Sequence, residues 1–193
     1  MGRYDDWGAA TISQEVKNTE WVDDPVIYPK TTVYRRQFQE IYQTLLKYNV
    51  DVKSYLSLGT GLGRHLVIAK ATFPNLDKVV TVDHTMPPHP AVKELFKDLH
   101  HYQLPVVNSF SRLLNEQYQF DLICFENIGH EHEVTSEAAI TQLSQLLVPN
   151  GALAIIGDTK FDTQLLEATD LFKDISTETE WGDTTKQNLW LKV

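Results

Sequence analysis

Three closely spaced glycines are the first feature of this sequence that could do chemistry. Gly59, Gly61 and Gly63 alternate with larger residues directly after a short apolar segment at 55–58. Glycine tolerates positive φ and has no Cβ, so such a loop lets a ligand approach the main chain closely. A helix that begins after the loop would add free amide N–H groups, which favour an electron-rich ligand group. The spacing predicts a nucleotide-like ligand at this loop.

An acidic residue follows the loop at a distance that suits ribose binding. Asp83 comes 24 residues after Gly59, at the end of the next apolar segment, 78–82. A carboxylate at the end of a strand can accept both hydrogen bonds from a ribose diol. We therefore predict that Asp83 binds a ribose. His84 is a further candidate contact, although a histidine exposed in a loop is the simpler interpretation.

The spacing of the glycines also distinguishes between cofactors. A dinucleotide fingerprint, G-x-G-x-x-G, would place its third glycine at position 64, where this chain has Arg64. Here the third glycine comes one residue earlier, at Gly63. This difference argues against a nicotinamide-dependent oxidoreductase.

A second group of polar residues lies at 126–133. It follows a predicted strand, and ligands of open α/β sheets bind at the carboxyl ends of the strands. Glu126 and Asn127 are candidates to position a substrate, and His130 is a candidate general base because its unperturbed pKa lies near neutrality. The histidines and acids also suggest a metal hypothesis, with Asp158 as a further ligand. Because that spacing is non-specific, we predict no metal site and favour a solvated approach to the next helix.

Alternating short apolar segments and helical segments would position these residues. The pattern is typical of an α/β fold with a parallel sheet covered on both faces. The predicted strands are 55–58, 78–82, 104–107, 120–125, 152–156 (after a turn at 149–151), 175–181 and 187–193. The predicted helices are 33–48, 64–73, 90–101 (ending at His100 and His101), 135–147 and 165–172. We therefore predict a Rossmann-like, doubly wound, mostly parallel sheet with an antiparallel C-terminal strand pair.

The first 50 residues form a separate part in this interpretation. Residues 1–32 are polar and form an irregular or partly helical arm, followed by the helix at 33–48. Aromatic side chains in the arm either form a lid over the site or anchor the arm to the core. We predict an N-terminal arm and helix at 1–50 and a cofactor-binding domain at 51–193.

The composition of the chain limits the classes of protein to which it could belong. The chain has 193 residues and is 42% hydrophobic, which is enough for the core of one domain. A formal net charge of −9 argues against general nucleic-acid binding, which relies on Lys and Arg. The single cysteine, Cys124, excludes an intramolecular disulfide. Because there is neither a signal peptide nor an apolar segment of about 18 residues, we predict a cytoplasmic protein without membrane association.

The G-x-G-x-G loop, the acid after the second strand and the terminal strand pair together resemble the class I S-adenosylmethionine-dependent methyltransferases. The resemblance covers roughly residues 52–193. It implies that Gly59, Gly61 and Gly63 lie against the methionine part of S-adenosylmethionine, and Thr60 of the same loop is counted among the cofactor contacts. Asp83 would then hold the ribose of that cofactor.

The same resemblance implies roles for residues after the later strands. Asn108 or Ser109, after the third strand, would lie beside the adenine. Glu126 and Asn127, after the fourth, would lie near the methyl-transfer site, and Glu126 is also counted among the cofactor contacts.

One position departs from the family pattern. Two residues before the first glycine the family usually has Asp or Glu, and this chain has Ser57. That acid commonly helps to orient the amino-acid part of the cofactor. Ser57 is therefore predicted to be a cofactor contact, and either the affinity is reduced or another residue takes over the contact of the acid.

Two functions from different classes remain open after these arguments. The first is a methyltransferase that uses S-adenosylmethionine and acts on a small or medium-sized acceptor. The second is a non-catalytic S-adenosylmethionine- or nucleoside-binding module that regulates a partner. The sequence does not determine the acceptor or the oligomeric state, and a homodimer is left open.

Overall fold

A central sheet with helices between its strands organises the chain in the computed structural model, which describes residues 31–126, 134, 136–156, 161, 163–176 and 188–193. The strands are β1 (Ser54–Leu58), β2 (Lys78–Val82), β3 (Asp98–Tyr102), β4 (Phe120–Glu126), β5 (Leu147–Ile156), β6 (Phe172–Asp174) and β7 (Asn188–Lys192). The helices are α1 (Thr31–Lys47), α2 (Arg64–Thr72), α3 (Pro90–Lys93), α4 (Val106–Asn115), α5 (Glu137–Leu146) and α6 (Thr163–Glu167).

The strand order of this sheet is β3-β2-β1-β4-β5-β7-β6. Strands β1 to β5 are parallel, whereas β7 runs antiparallel to both of its neighbours, β5 and β6. The order reverses between β1 and β4, and ligands of such sheets bind beside the carboxyl ends of the strands at this switch point. The predicted fold class, a mostly parallel sheet with an antiparallel C-terminal pair, is confirmed.

Apolar side chains on both faces of the sheet explain why its central strands are continuously hydrophobic. On one face, Phe38 of α1 and Leu66 of α2 pack with Val79 of the sheet. On the other face, Phe110 of α4 and Leu143 of α5 belong to a second buried cluster. The sheet therefore lies between two helical layers, as doubly wound folds require.

Helix α1 is part of the first of these cores. Phe38, Ile41 and Leu45 are fully buried, and their spacing places them on one side of the helix. The helix predicted at 33–48 is therefore confirmed, and it packs against the sheet. No helix in the described ranges is both long enough and apolar enough to span a bilayer.

The third strand lies earlier in the chain than predicted. The helix that begins at Pro90 ends at Lys93, and β3 contains His100 and His101, which were predicted to end that helix. The strand predicted at 104–107 is wrong, because α4 begins at Val106. Pairing with β2 explains the difference, since it provides main-chain hydrogen bonds along one edge of β3 and brings His101 Nδ1 to 2.9 Å from Thr81 Oγ1.

Two later boundaries also differ from the predictions. Strand β5 begins at Leu147 and includes the predicted turn at 149–151. Asn150 adopts a φ of 61°, and the pairing with β4 shifts register nearby, so these residues form an irregularity within the strand. The helix predicted at 165–172 ends at Glu167, and β6 precedes the strand predicted at 175–181, of which 177–181 lie outside the described residues.

A carboxylate joins the beginnings of β1 and β4. Asp121 Oδ2 accepts hydrogen bonds from Lys53 N at 3.0 Å, Ser54 N at 2.8 Å and Ser54 Oγ at 2.8 Å. We expect Asp121→Ala to lower the free energy of unfolding by about 1–3 kcal/mol, because main-chain donors lose their acceptor. Urea unfolding followed by circular dichroism measures this change.

The exposed Asp77 supplies the control, because its side chain is 88% exposed. Asp77→Ala should change the free energy by no more than about 0.5 kcal/mol. Equal stabilities of the two variants would contradict the role of Asp121.

Candidate functional site

The glycine loop between β1 and α2 has a main-chain conformation that favours glycine at three positions. Gly59, Gly61 and Gly63 have φ angles of 78°, 52° and 88°. All three lie in the left-handed region, which residues with a Cβ adopt only at a cost. Gly59 N donates to Val82 O at 2.9 Å, so the loop bends toward the end of β2. The predicted loop therefore lies at the switch point of the sheet.

Asp83 lies directly after β2 and points toward this loop. Its Oδ2 accepts a hydrogen bond from Gly61 N at 2.8 Å. Its Oδ1 accepts bonds from Thr85 N at 2.8 Å, from Thr85 Oγ1 at 2.6 Å and from Met86 N at 3.3 Å. A carboxylate oxygen can accept more than one bond, so Oδ2 retains capacity for a ligand hydroxyl. Asp83 is only 7% exposed, and its carboxylate is held in place before any ligand binds.

The middle of the loop borders open space. A Cβ built on Gly61 would have no heavy atom of another part of the chain within 4 Å. A Cβ on Gly63 would instead lie 3.2 Å from both Cγ atoms of Val92 in α3. The main chain at Gly61 therefore faces open space, whereas Gly63 allows close packing between the loop and α3.

A buried polar network lies beneath the loop and is centred on Glu126. Glu126 is fully buried at the end of β4. Tyr55 Oη donates a short hydrogen bond to Oε1. Ser57 Oγ donates to Oε2 at 2.9 Å, and His65 Nδ1 lies 3.1 Å from the same oxygen. Thr60 Oγ1 of the loop lies 2.7 Å from Ser57 Oγ, so the network connects the carboxylate to the loop.

Two neighbours of this carboxylate have strongly shifted acidities. Burial raises the pKa of the Tyr55 hydroxyl well above its usual value, and Cys124 and Glu126 raise it further. Tyr55 therefore stays protonated and donates to the carboxylate. Burial, followed by the charge of Glu126, likewise raises the pKa of the Cys124 thiol well above its ordinary value. The buried Cys124 is therefore expected to be a neutral thiol, which disfavours a role as a nucleophile.

Three other predicted contacts, His84, Asn108 and Ser109, differ in exposure and in secondary structure. His84 is exposed after β2. The prediction that Asn108 and Ser109 directly follow the third strand is wrong, because both lie in α4. Asn108 is exposed, whereas Ser109 is fully buried and donates to Val106 O at 2.6 Å. Their contact with an adenine stays a prediction, and the residues that follow β3 are 103–105.

The candidate acceptor-side residues Asn127 and His130, and Asp158 of the metal hypothesis, lie outside the described residues. Within the described ranges, no three histidine, cysteine or acidic side chains are grouped so that they could hold a metal ion.

Two histidines in this region were not predicted as part of the site. His65 lies in the first turn of α2, and its Nε2 is buried without a hydrogen-bond partner among the described residues. Its spacing from the buried Ile68 and Ala69 places it on the apolar side of α2, and that spacing is a signal the sequence contains. His101 lies in β3, where burial lowers its pKa and the charge of Asp83 opposes that shift. Because the sequence pattern predicted a helix at 90–101, the location of His101 in a strand next to β2 was not predicted.

The hydrogen bonds of Asp83 lead to a prediction about stability. Asp83→Asn must turn its NH2 group toward either Gly61 N or Thr85 N, both of which are donors. We expect a loss of about 1–3 kcal/mol in the free energy of unfolding, because a partly buried donor then has no acceptor. Thermal unfolding without ligand measures this, with Asp98→Asn as the exposed control. A variant as stable as the control would contradict this assignment.

The two glycine environments predict different costs for alanine. Gly61→Ala and Gly63→Ala should each lose about 1–2 kcal/mol, because Ala is strained at these φ angles. Gly63→Ala should lose more, because its Cβ also crowds Val92. Denaturant unfolding of both variants tests this order, and a smaller loss for Gly63→Ala would contradict it.

Solved structures of methyltransferases share this architecture, although no family model and no curated protein matches the sequence. The plantazolicin methyltransferase BpumL, solved with a monoazolic desmethylPZN analogue and SAH, gives a TM-score of 0.58 at 11% identity, over 99% of both chains. An O-methyltransferase from Bacillus cereus in complex with SAH gives 0.55 at 15% identity, over 84% of this chain and 80% of that one. The N-methyltransferase NodS from Bradyrhizobium japonicum WM9 gives 0.54 at 14% identity, over 84% and 96%.

Identities this low establish similarity of fold. The similarity agrees with the strand order, with the antiparallel position of β7 and with the glycine loop at the switch point. The chain has the fold of the class I S-adenosylmethionine-dependent methyltransferases, and the resemblance inferred from the glycine loop and Asp83 is confirmed at this level.

Proposed function

We propose that this protein is an S-adenosylmethionine-dependent methyltransferase that acts on a small or medium-sized acceptor. The observation that carries the proposal is the pairing of Gly61 and Asp83 at the switch point of a methyltransferase fold. The hydrogen bond between them places a carboxylate beside a loop whose middle borders open space. A ribose needs an acceptor for its hydroxyl groups, and the chain attached to it needs space beside the main chain. The carboxylate and the loop are suited to these two needs.

The residues present fit this cofactor. The open space at Gly61 and its lack of a Cβ suit the close approach of a ligand to the main chain. Asp83 Oδ2 has remaining acceptor capacity toward a ribose hydroxyl. Arg64 begins α2 at the position where a dinucleotide fingerprint has its third glycine, which disfavours NAD.

In the proposed reaction, some residues hold the cofactor and others act on the acceptor. Bound S-adenosylmethionine would supply a methyl group on a sulfonium, which an acceptor atom would receive while the sulfur leaves with the remainder of the cofactor as SAH. The glycine loop and Asp83 would hold the cofactor in line for that transfer. On the acceptor side, we assign His130 the role of a base for the proton of the acceptor, and Asn127 that of orienting its polar group.

The class of acceptor is supported by charge and by the comparisons. A net charge of −9 disfavours a nucleic acid, whose phosphates need basic residues. The similar structures include both O- and N-methyltransferases, so the fold leaves the acceptor atom undecided. A homodimer and a cytoplasmic location stay predictions.

A non-catalytic binding module is the second candidate. Ser57 stands where the family usually has an acid. This difference is compatible with a site that holds the cofactor without transferring its methyl group. Incubation with S-adenosylmethionine and a broad panel of small acceptors distinguishes the two, because only an enzyme forms SAH in amounts that depend on the acceptor.

Calorimetry tests the cofactor. SAH should bind with a dissociation constant in the micromolar range, about −8 kcal/mol, and NAD should not bind measurably. Gly61→Ala should weaken SAH binding at least about tenfold, because its Cβ would occupy the space that the ligand needs beside the main chain. Asp98→Asn, an exposed change on β3, should leave the affinity unchanged. Binding of NAD but not of SAH would reject the proposal.

A further inference from the structure

A buried carboxylate beneath a ligand-binding loop requires an explanation. Glu126 is fully buried, and removing a charge from water is costly unless several donors surround it. Here Tyr55 Oη, Ser57 Oγ and the His65 ring supply the partners. An arrangement this specific indicates that the carboxylate has a role at this location.

The partners of Glu126 come from the elements on either side of the glycine loop. Ser57 lies in β1 just before the loop, Thr60 lies within it, and His65 lies in the first turn of α2 after it. Ser57 Oγ donates to Glu126 Oε2, and the single hydroxyl proton of Thr60 is shared between two acceptors, Ser57 Oγ at 2.7 Å and Ser57 O at 3.0 Å. The carboxylate is therefore connected by hydrogen bonds to residues before, within and after the loop.

Strand register explains how Glu126 reaches this place. Ser57 pairs with Cys124 in the parallel β1–β4 ladder, so Glu126 lies two residues further along β4 with its side chain on the same face. Its longer side chain extends back, and Oε2 lies 2.9 Å from Ser57 Oγ. An acid at position 57 would bring a second carboxylate next to this oxygen, which like-charge repulsion disfavours. A small hydroxyl at 57 and an acid at 126 are thus complementary.

We propose that Glu126 supplies, from the neighbouring strand, the carboxylate that is missing at position 57. Glu126 is then a positioning residue for the cofactor, acting through Ser57 and Thr60 on the loop. We do not assign it the role of base for the acceptor, because its side chain is fully buried. This inference rests on the proposed function, since the loop is taken to hold S-adenosylmethionine.

Exchange of the two side chains tests the proposal. We expect Glu126→Gln to weaken SAH binding at least about tenfold in calorimetry below the melting temperature. Ser57→Asp alone should also weaken binding, because two carboxylates then meet. The double variant Ser57→Asp/Glu126→Ser restores a single carboxylate, and it should bind SAH within about threefold of the wild type. A role in stability alone would not produce this recovery.

Asp121 provides a matched control. It is also a carboxylate on β4 that accepts three hydrogen bonds, but it lies at the opposite end of the strand. Asp121→Asn should lower the melting temperature and keep the SAH affinity within about twofold of the wild type.

The outcomes separate the two proposals. If wild-type protein does not bind SAH, the proposed function fails, and this inference fails with it. If the wild type binds SAH but Glu126→Gln and Asp121→Asn bind it equally well, only the role of Glu126 is rejected. If Glu126→Gln does not fold, the double variant decides, and a double variant that fails to fold or to bind SAH overturns the inference.

Discussion

A hydrogen bond from the main chain of Gly61 to the carboxylate of Asp83 is the interaction on which the site depends. Of the three left-handed glycines, Gly59 and Gly63 donate their amide N–H groups to main-chain oxygens, whereas Gly61 donates its amide N–H to the side chain of Asp83. Oδ2 of Asp83 accepts the bond from Gly61, while Oδ1 accepts bonds from the main-chain N–H groups of Thr85 and Met86. The carboxylate is thereby oriented before a ligand arrives, which reduces the ordering cost of binding.

A second carboxylate, that of Glu126, contacts residues of the same loop region from β4, the strand on the other side of β1. Asp83 follows β2 and Glu126 ends β4, and these two strands flank β1 in the sheet. One acid contacts the main chain of the loop, and the other reaches Thr60 through the hydroxyl of Ser57. The order of three parallel strands therefore explains why residues 43 positions apart act on one loop.

The errors of the sequence-based predictions have a common physical cause. In the segment after Pro90, apolar residues suited a helix, yet the main chain of residues 98–102 pairs with β2. Likewise, the turn residues at 149–151 are incorporated into β5 because pairing with β4 accommodates an irregularity there. In both places, hydrogen bonding between strands that are distant in sequence outweighed local preference. The shift of β3 also moved Asn108 and Ser109 into a helix.

The sequence alone determined the alternation of strands and helices, the glycine loop and the acid at the end of β2, because periodicity, glycine spacing and strand ends are local properties. It also indicated the fold family, since these local features occur in a characteristic order. Only the tertiary structure decided that Glu126 lies beneath the loop, that Ser57 is its partner and that His65 joins them. Contacts between neighbouring strands depend on register and strand order, and a buried acid has no local pattern that distinguishes it from an exposed one.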